Sequence, residues 1–192
     1  MKKPIRTILL LAGLQFAATT AEAVIDPFTL SQGPFTVGPG EEIDPELGII
    51  LAPGVLGGFR GMAPVMGEDA PAGSTTTLAI GGGLWDCVLD VSTPDPVTAN
   101  GGCSTGWDRG DGPAFDFSMV DSFDMDVIDV QGGATLSLQA VDVNEALSIG
   151  PVEGVQEGLL QISRAEFFAV VGGGVDWSAI DNLSLVVINE NG

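Results

Sequence analysis

The side chains of this sequence that could do chemistry are almost all carboxylates. Of 192 residues, 26 are Asp or Glu and six are Lys or Arg, with no His and no Tyr. Without His, neither a Ser-His-Asp nor a Cys-His nucleophile can be assembled. Carboxylates can hold cations, or they can act in pairs on a glycosidic bond, one protonated beside one ionised. Asp121, Asp124, Asp126 and Asp129 lie on or beside one alternating stretch, and Asp124 and Asp126 share a face of it. That pair is the candidate metal site, and a structural Ca2+ is the cofactor it would suit, because Ca2+ is satisfied by carboxylate and carbonyl oxygens. With so many acids some pairs meet by chance, so no catalytic residue is assigned and a non-enzymatic protein is expected. A carboxylate-dependent glycoside hydrolase is the enzymatic alternative.

A second constellation is the loop Trp107-Asp108-Arg109-Gly110-Asp111-Gly112. Trp107 would offer a flat apolar platform to a sugar ring, with Asp108, Arg109 and Asp111 as polar neighbours. This is the candidate carbohydrate-binding site, and an extracellular polysaccharide is the partner it implies. Trp85 alternates with Cys87 and Leu89 and so belongs to a core face. Trp177 follows an Asp at a turn and covers one end of the fold.

The elements that must position these residues are strands. Gly (28) and Pro (12) punctuate the chain at short intervals, and no long segment holds a helical apolar period. Period-two alternation marks strands at 75–80, 84–91, 122–127 and 134–143, with a slip near Val141 that suits a bulge. The more uniformly apolar segments 159–162 and 166–171 read as strands covered on both sides, and 182–188 as the last strand. Gly132-Gly133 reads as a hairpin turn between two of these strands. Single helical turns fit 143–147 and 176–180. The expected fold is an all-β, antiparallel β-sandwich of jelly-roll type.

Residues 1–23 read as a signal peptide. Lys2, Lys3 and Arg6 form a positive start, 8–16 an apolar run, and Ala21-Glu22-Ala23 a small-residue cleavage pattern. The run is too short to span a bilayer. The remaining 24–192 is one domain, with 24–45 expected as a loosely ordered entry segment. It carries three cations (Arg60, Arg109 and Arg164) against 25 acids, a formal net charge of −22. Such a surface repels nucleic-acid phosphates and anionic lipid, so neither is expected as a partner, and no second apolar run approaches membrane length, so no membrane span is expected in 24–192. Secretion places Cys87 and Cys103 in an oxidising compartment, where they are expected to pair. A closed loop of about 15 residues contributes about 3 kcal/mol.

Several local patterns follow one another in an order that resembles a known group. They are Val24-Ile25-Asp26-Pro27-Phe28, then Gly54-Val55-Leu56-Gly57-Gly58-Phe59-Arg60, then Gly106-Trp107-Asp108. Phe167-Phe168 follows, leading through Val175-Asp176-Trp177-Ser178-Ala179-Ile180-Asp181-Asn182-Leu183 to an apolar strand. Together they resemble exported jelly-roll proteins that accompany PEP-CTERM sorting tails in Gram-negative bacteria, although the Pro-Glu-Pro tail of that group is not among these residues. The resemblance implies a jelly roll located outside the cell, in the periplasm or at the cell surface, and carries no catalytic residue. The function expected is that of an extracellular or surface-associated protein binding carbohydrate or exopolysaccharide matrix. A structural subunit that self-associates through strand edges is the other non-enzymatic reading.

Overall fold

Alternation at period two dominates the chain, and strands are what it forms. A computed structural model describes residues 5–18, 21–43, 50–51, 54–92, 100–152 and 154–189. Its strands are β1 (Ile5–Ala18), β2 (Ala21–Asp26), β3 (Gln32–Val37), β4 (Ile50–Leu51), β5 (Phe59–Met66), β6 (Thr75–Gly81) and β7 (Leu84–Val91). They continue as β8 (Gly101–Asp108), β9 (Val120–Gln131), β10 (Thr135–Asp142), β11 (Leu147–Val152), β12 (Gly158–Ser163), β13 (Phe168–Val171) and β14 (Ile180–Asn189). Two antiparallel sheets pack face to face. The first runs β12-β9-β1-β7-β6-β3, with β2 paired to β1; the second runs β13-β11-β10-β14-β8-β5-β4. The chain is therefore the antiparallel β-sandwich that the alternation predicts.

The inward positions are those the period selects. Thr76, Leu78 and Ile80 of β6, Trp85, Cys87, Leu89 and Val91 of β7, Phe123, Met125 and Val127 of β9, and Leu136, Leu138 and Ala140 of β10 are all buried. Ties between the sheets include two from β7 to β8. Cys87 of β7 and Cys103 of β8 form a disulfide, and the Trp85 indole N–H donates to Thr105 Oγ1 on β8 at 2.8 Å. At one end, Phe167 and Trp177 meet edge to face with ring centroids 5.0 Å apart, and Phe123 packs against both.

Several elements differ from the sequence expectation. The segment with leader composition forms β1, the strand between β7 and β9 near the middle of the first sheet. Leu9 and Leu11 point inward by simple alternation. A bulge at Gly13 (φ +50°) then restores Leu14 to the core face, and all three leucines are at most 1% exposed. The entry segment is built, not loose: over 24–43, Ile25 and Phe28 are in the core and β3 pairs with β6, while residues 44–45 lie outside the described residues. Gly132-Gly133 makes no hairpin, because β9 and β10 belong to opposite sheets and the glycines carry the chain across the sandwich. The segments 143–147 and 176–180 are turns leading into strands rather than helical turns.

The two uniformly apolar segments are also corrected. β12 and β13 are the edge strands on one side of the two sheets, with Leu159 67% exposed and all four residues of β13 exposed. A continuous apolar run gives no alternation from which to read a buried face. Here it marks edge strands that expose apolar side chains.

Candidate functional site

The first motif of the chain, Val24-Ile25-Asp26, places Asp26 on β2 with no exposed surface. Four residues of β5 point inward from Arg60 onward with the same alternation, Arg60, Met62, Pro64 and Met66, so that the Arg60 guanidinium also enters the core. The two charges meet there: Arg60 Nη1 lies 3.1 Å from Asp26 Oδ1 and 2.9 Å from Oδ2. Arg60 Nε also donates to Gln32 Oε1 of β3 at 2.9 Å, and its Nη2 to the Leu30 carbonyl. Asp26 also accepts the Phe28 backbone N–H at 2.7 Å and the Trp107 indole N–H at 2.9 Å. A buried ion pair survives only when its other polar atoms are paired in this way.

This network brings together three of the motifs read in the sequence: Asp26 from the first, Arg60 from the second and Trp107 from the third. The glycines of the second have a physical task. Gly57 turns at φ +70°, and a Cβ there would stand 2.2 Å from the Asp108 carbonyl oxygen, so only glycine lets the turn lie against β8. Asp26 and Gln32 were not among the candidate residues. The available signal was Arg60 itself: a charge at an inward position of an alternating strand requires a buried counter-charge.

The same geometry corrects the carbohydrate-binding expectation. Trp107 is 0% exposed, so its ring packs in the core and presents no face to a sugar. Its neighbour Asp108 points out and accepts the Gly110 backbone N–H. Arg109 is tied down by an ion pair to Asp181 and a 2.7 Å hydrogen bond to the Gly112 carbonyl. Asp111 is exposed on the loop. The four residues thus divide: Trp107 faces the core, and Asp108, Arg109 and Asp111 shape a surface turn.

Asp124 and Asp126 lie on the outer face of β9, as the alternation requires, with Asp126 the more exposed. Gln161 of β12 donates to Asp124 Oδ1 and to Ser122 Oγ, both at 3.1 Å. Among the described residues no group of three or more His, Cys, Asp or Glu side chains is placed to hold a metal ion, so this pair stands without a third such ligand.

Asp142, also missed, ends β10 where the register with β14 shifts. Buried, it accepts the backbone N–H groups of Asn144, Ala146 and Asp176 at 2.8, 3.1 and 2.8 Å. The Asp176 bond leads in holding its carboxyl below the ordinary carboxylate value, and the other two assist, against the opposing effect of burial.

Shallow hollows open on the surface among the described residues. One is lined by Gly132, Ala134, Thr135 and Val155 among others, and one by Val65, Asn100 and Ile188 with neighbouring glycines; neither carries a titratable side chain. No helix among the described residues is long and apolar enough to cross a membrane. No family model, no curated protein and no solved structure matches the chain.

Proposed function

We propose that this chain is an exported, non-catalytic surface or matrix protein that works by associating through its strand edges with further copies of itself. The observation that carries this reading is β13. It forms the outer edge of the second sheet, holds the uncharged sequence Phe168-Ala169-Val170-Val171, and exposes Phe168, Val170 and Val171 by 50–52%. Leu159 on β12 adds to the exposed apolar surface on the same side. Edge strands of proteins that stay monomeric usually carry Lys, Pro or a bulge that blocks pairing; β13 carries neither Lys nor Pro, and its irregularity is the register shift with β11 at Val170. An antiparallel copy would set Phe168 opposite Val171 without bringing any charges into opposition. The export part of the reading rests on the leader composition and on the disulfide, which suits an oxidising compartment. The carbohydrate-binding form of the reading loses its platform with the burial of Trp107.

Sedimentation velocity over a wide concentration range tests the proposal. Wild type is expected to associate as concentration rises. Val170→Lys should remove the association while shifting stability by no more than about 0.5 kcal/mol, as for a surface substitution. A wild-type chain that stays monomeric throughout, or a Val170→Lys variant that still associates, would overturn it.

A further inference from the structure

The strand that completes the first sheet is the segment whose composition marks it for removal on export. The central position of β1 therefore has a consequence that rests on the export reading. Cleavage after Ala23 takes away all of β1 and leaves a gap one strand wide between β7 and β9. Its floor is the core face: Leu9, Leu11 and Leu14 pack in the same cluster as Trp85, Cys87, Phe123 and Met125. Its walls are two strand edges, both of which pair with β1. The walls are poorly suited to closing on each other. Each is antiparallel to β1, so they run parallel to one another in a sheet whose other pairings are all antiparallel. Closing would also shift one wall by about 4.8 Å, one strand spacing, while the Cys87–Cys103 disulfide ties β7 to the opposite sheet.

The rim of the gap states the chemistry of what fills it. On the outer face, Asp86 and Asp90 of β7 stand opposite Leu10 and Arg6 in register. Asp129, Asp126 and Asp124 of β9 stand opposite Leu10, Ala12 and Gln15. Five carboxylates thus line both sides of the outward positions of any strand seated there. We propose that the processed chain has a strand-binding slot between β7 and β9 that takes an extended segment of another protein, aliphatic at the three inward positions and cationic at the outward ones. A second copy cannot supply that strand. Beyond residue 23 the chain has no Lys and only three Arg. Arg60 is buried against Asp26, Arg109 is held by Asp181, and Arg164 donates to the Phe117 and Ser118 carbonyls. Main-chain pairing would give such a complex its affinity, and the alternating side chains its selectivity.

The test uses protein produced from the full-length chain and exported by its own leader, with the N-terminus read by intact mass. Two synthetic peptides are the probes: residues 5–18 as they stand, and the same peptide carrying Ile8→Lys, Leu10→Lys and Ala12→Lys. The lysine peptide is expected to bind one to one, to raise the melting temperature, and to bind ~10-fold more tightly than its parent at low salt. That preference should vanish in Asp86→Asn/Asp126→Asn protein, and binding should be lost when the peptide carries Leu11→Asp. A processed chain indifferent to both peptides, whether stably folded or unfolded, overturns the slot. Equal binding of the two peptides overturns the cationic partner. An exported chain that retains residues 1–23 overturns the export reading itself, and the slot with it, because β1 then stays in place.

Discussion

Arg60 and Trp107 act on one carboxylate, and the effect of losing either follows from that. Arg60→Met removes the cation and leaves the Asp26 carboxyl in the core without its charge partner, which costs about 3–5 kcal/mol for a broken buried pair. Trp107→Ala opens a cavity and takes a donor from the same oxygen, for about 3–5 kcal/mol. Equilibrium denaturation should show both losses as lower midpoints with little change of slope. The double variant should lose clearly less than the sum, because both residues share Asp26. The outcome for Trp107→Ala separates two roles sharply. A sugar platform on a surface loop could be removed with stability nearly unchanged, whereas a side chain with no exposed surface cannot. Residue type and strand period were enough to put Trp85 in the core. They failed for Trp107 because the glycines and acids after it made it look like part of the loop, when it is the last inward position of β8.

At the scale of elements, period two reported faces faithfully and neighbours not at all. β7 spans the residues the alternation predicts, and the slip near Val141 is the register shift between β10 and β14. Which sheet a strand joins depends on contacts far away in sequence. This is why Gly132-Gly133 passed for a hairpin and β12 and β13 for covered strands. The segment 8–16 is ambiguous for a further reason: a short aliphatic run satisfies a leader and a buried strand equally well. The β10 end was legible as a bulge but not as a carboxylate site, since the donors of Asp142 are backbone groups from two separate turns. Those donors give the element a pH dependence. The folded carboxyl of Asp142 titrates below its ordinary value of 3.8, so its stabilising contribution is complete above that value. It is lost as pH falls through the lower folded value. Acid unfolding of Asp142→Asn should accordingly show a flatter loss of stability below about pH 4 than wild type, from a lower starting stability at neutral pH. Parallel acid-unfolding curves for the two proteins would show that Asp142 contributes nothing in that range.

For the whole molecule, charge sets the terms on which any partner is met. The chain carries a formal net charge of −20, and −22 without residues 1–23, so two copies approach against their own fields. An uncharged edge such as β13 is where that repulsion is least, yet it acts at a distance before strands can touch. Raising ionic strength from about 0.01 M to about 1 M shortens the screening length from ~30 Å to ~3 Å. Self-association through β13 should therefore strengthen with salt, seen as a rise in weight-average mass at fixed concentration. Binding of a cationic strand in the β7–β9 slot draws on the opposite term, attraction to the aspartates at its rim, and should weaken over the same range. The two modes can thus be told apart in one protein without a substitution. Val170→Lys should abolish the salt-promoted assembly and leave the salt-weakened peptide binding intact, since the β13 edge lies on the second sheet and the slot in the first. If assembly instead weakens with salt, attraction between charges drives it, and the uncharged edge is not the contact.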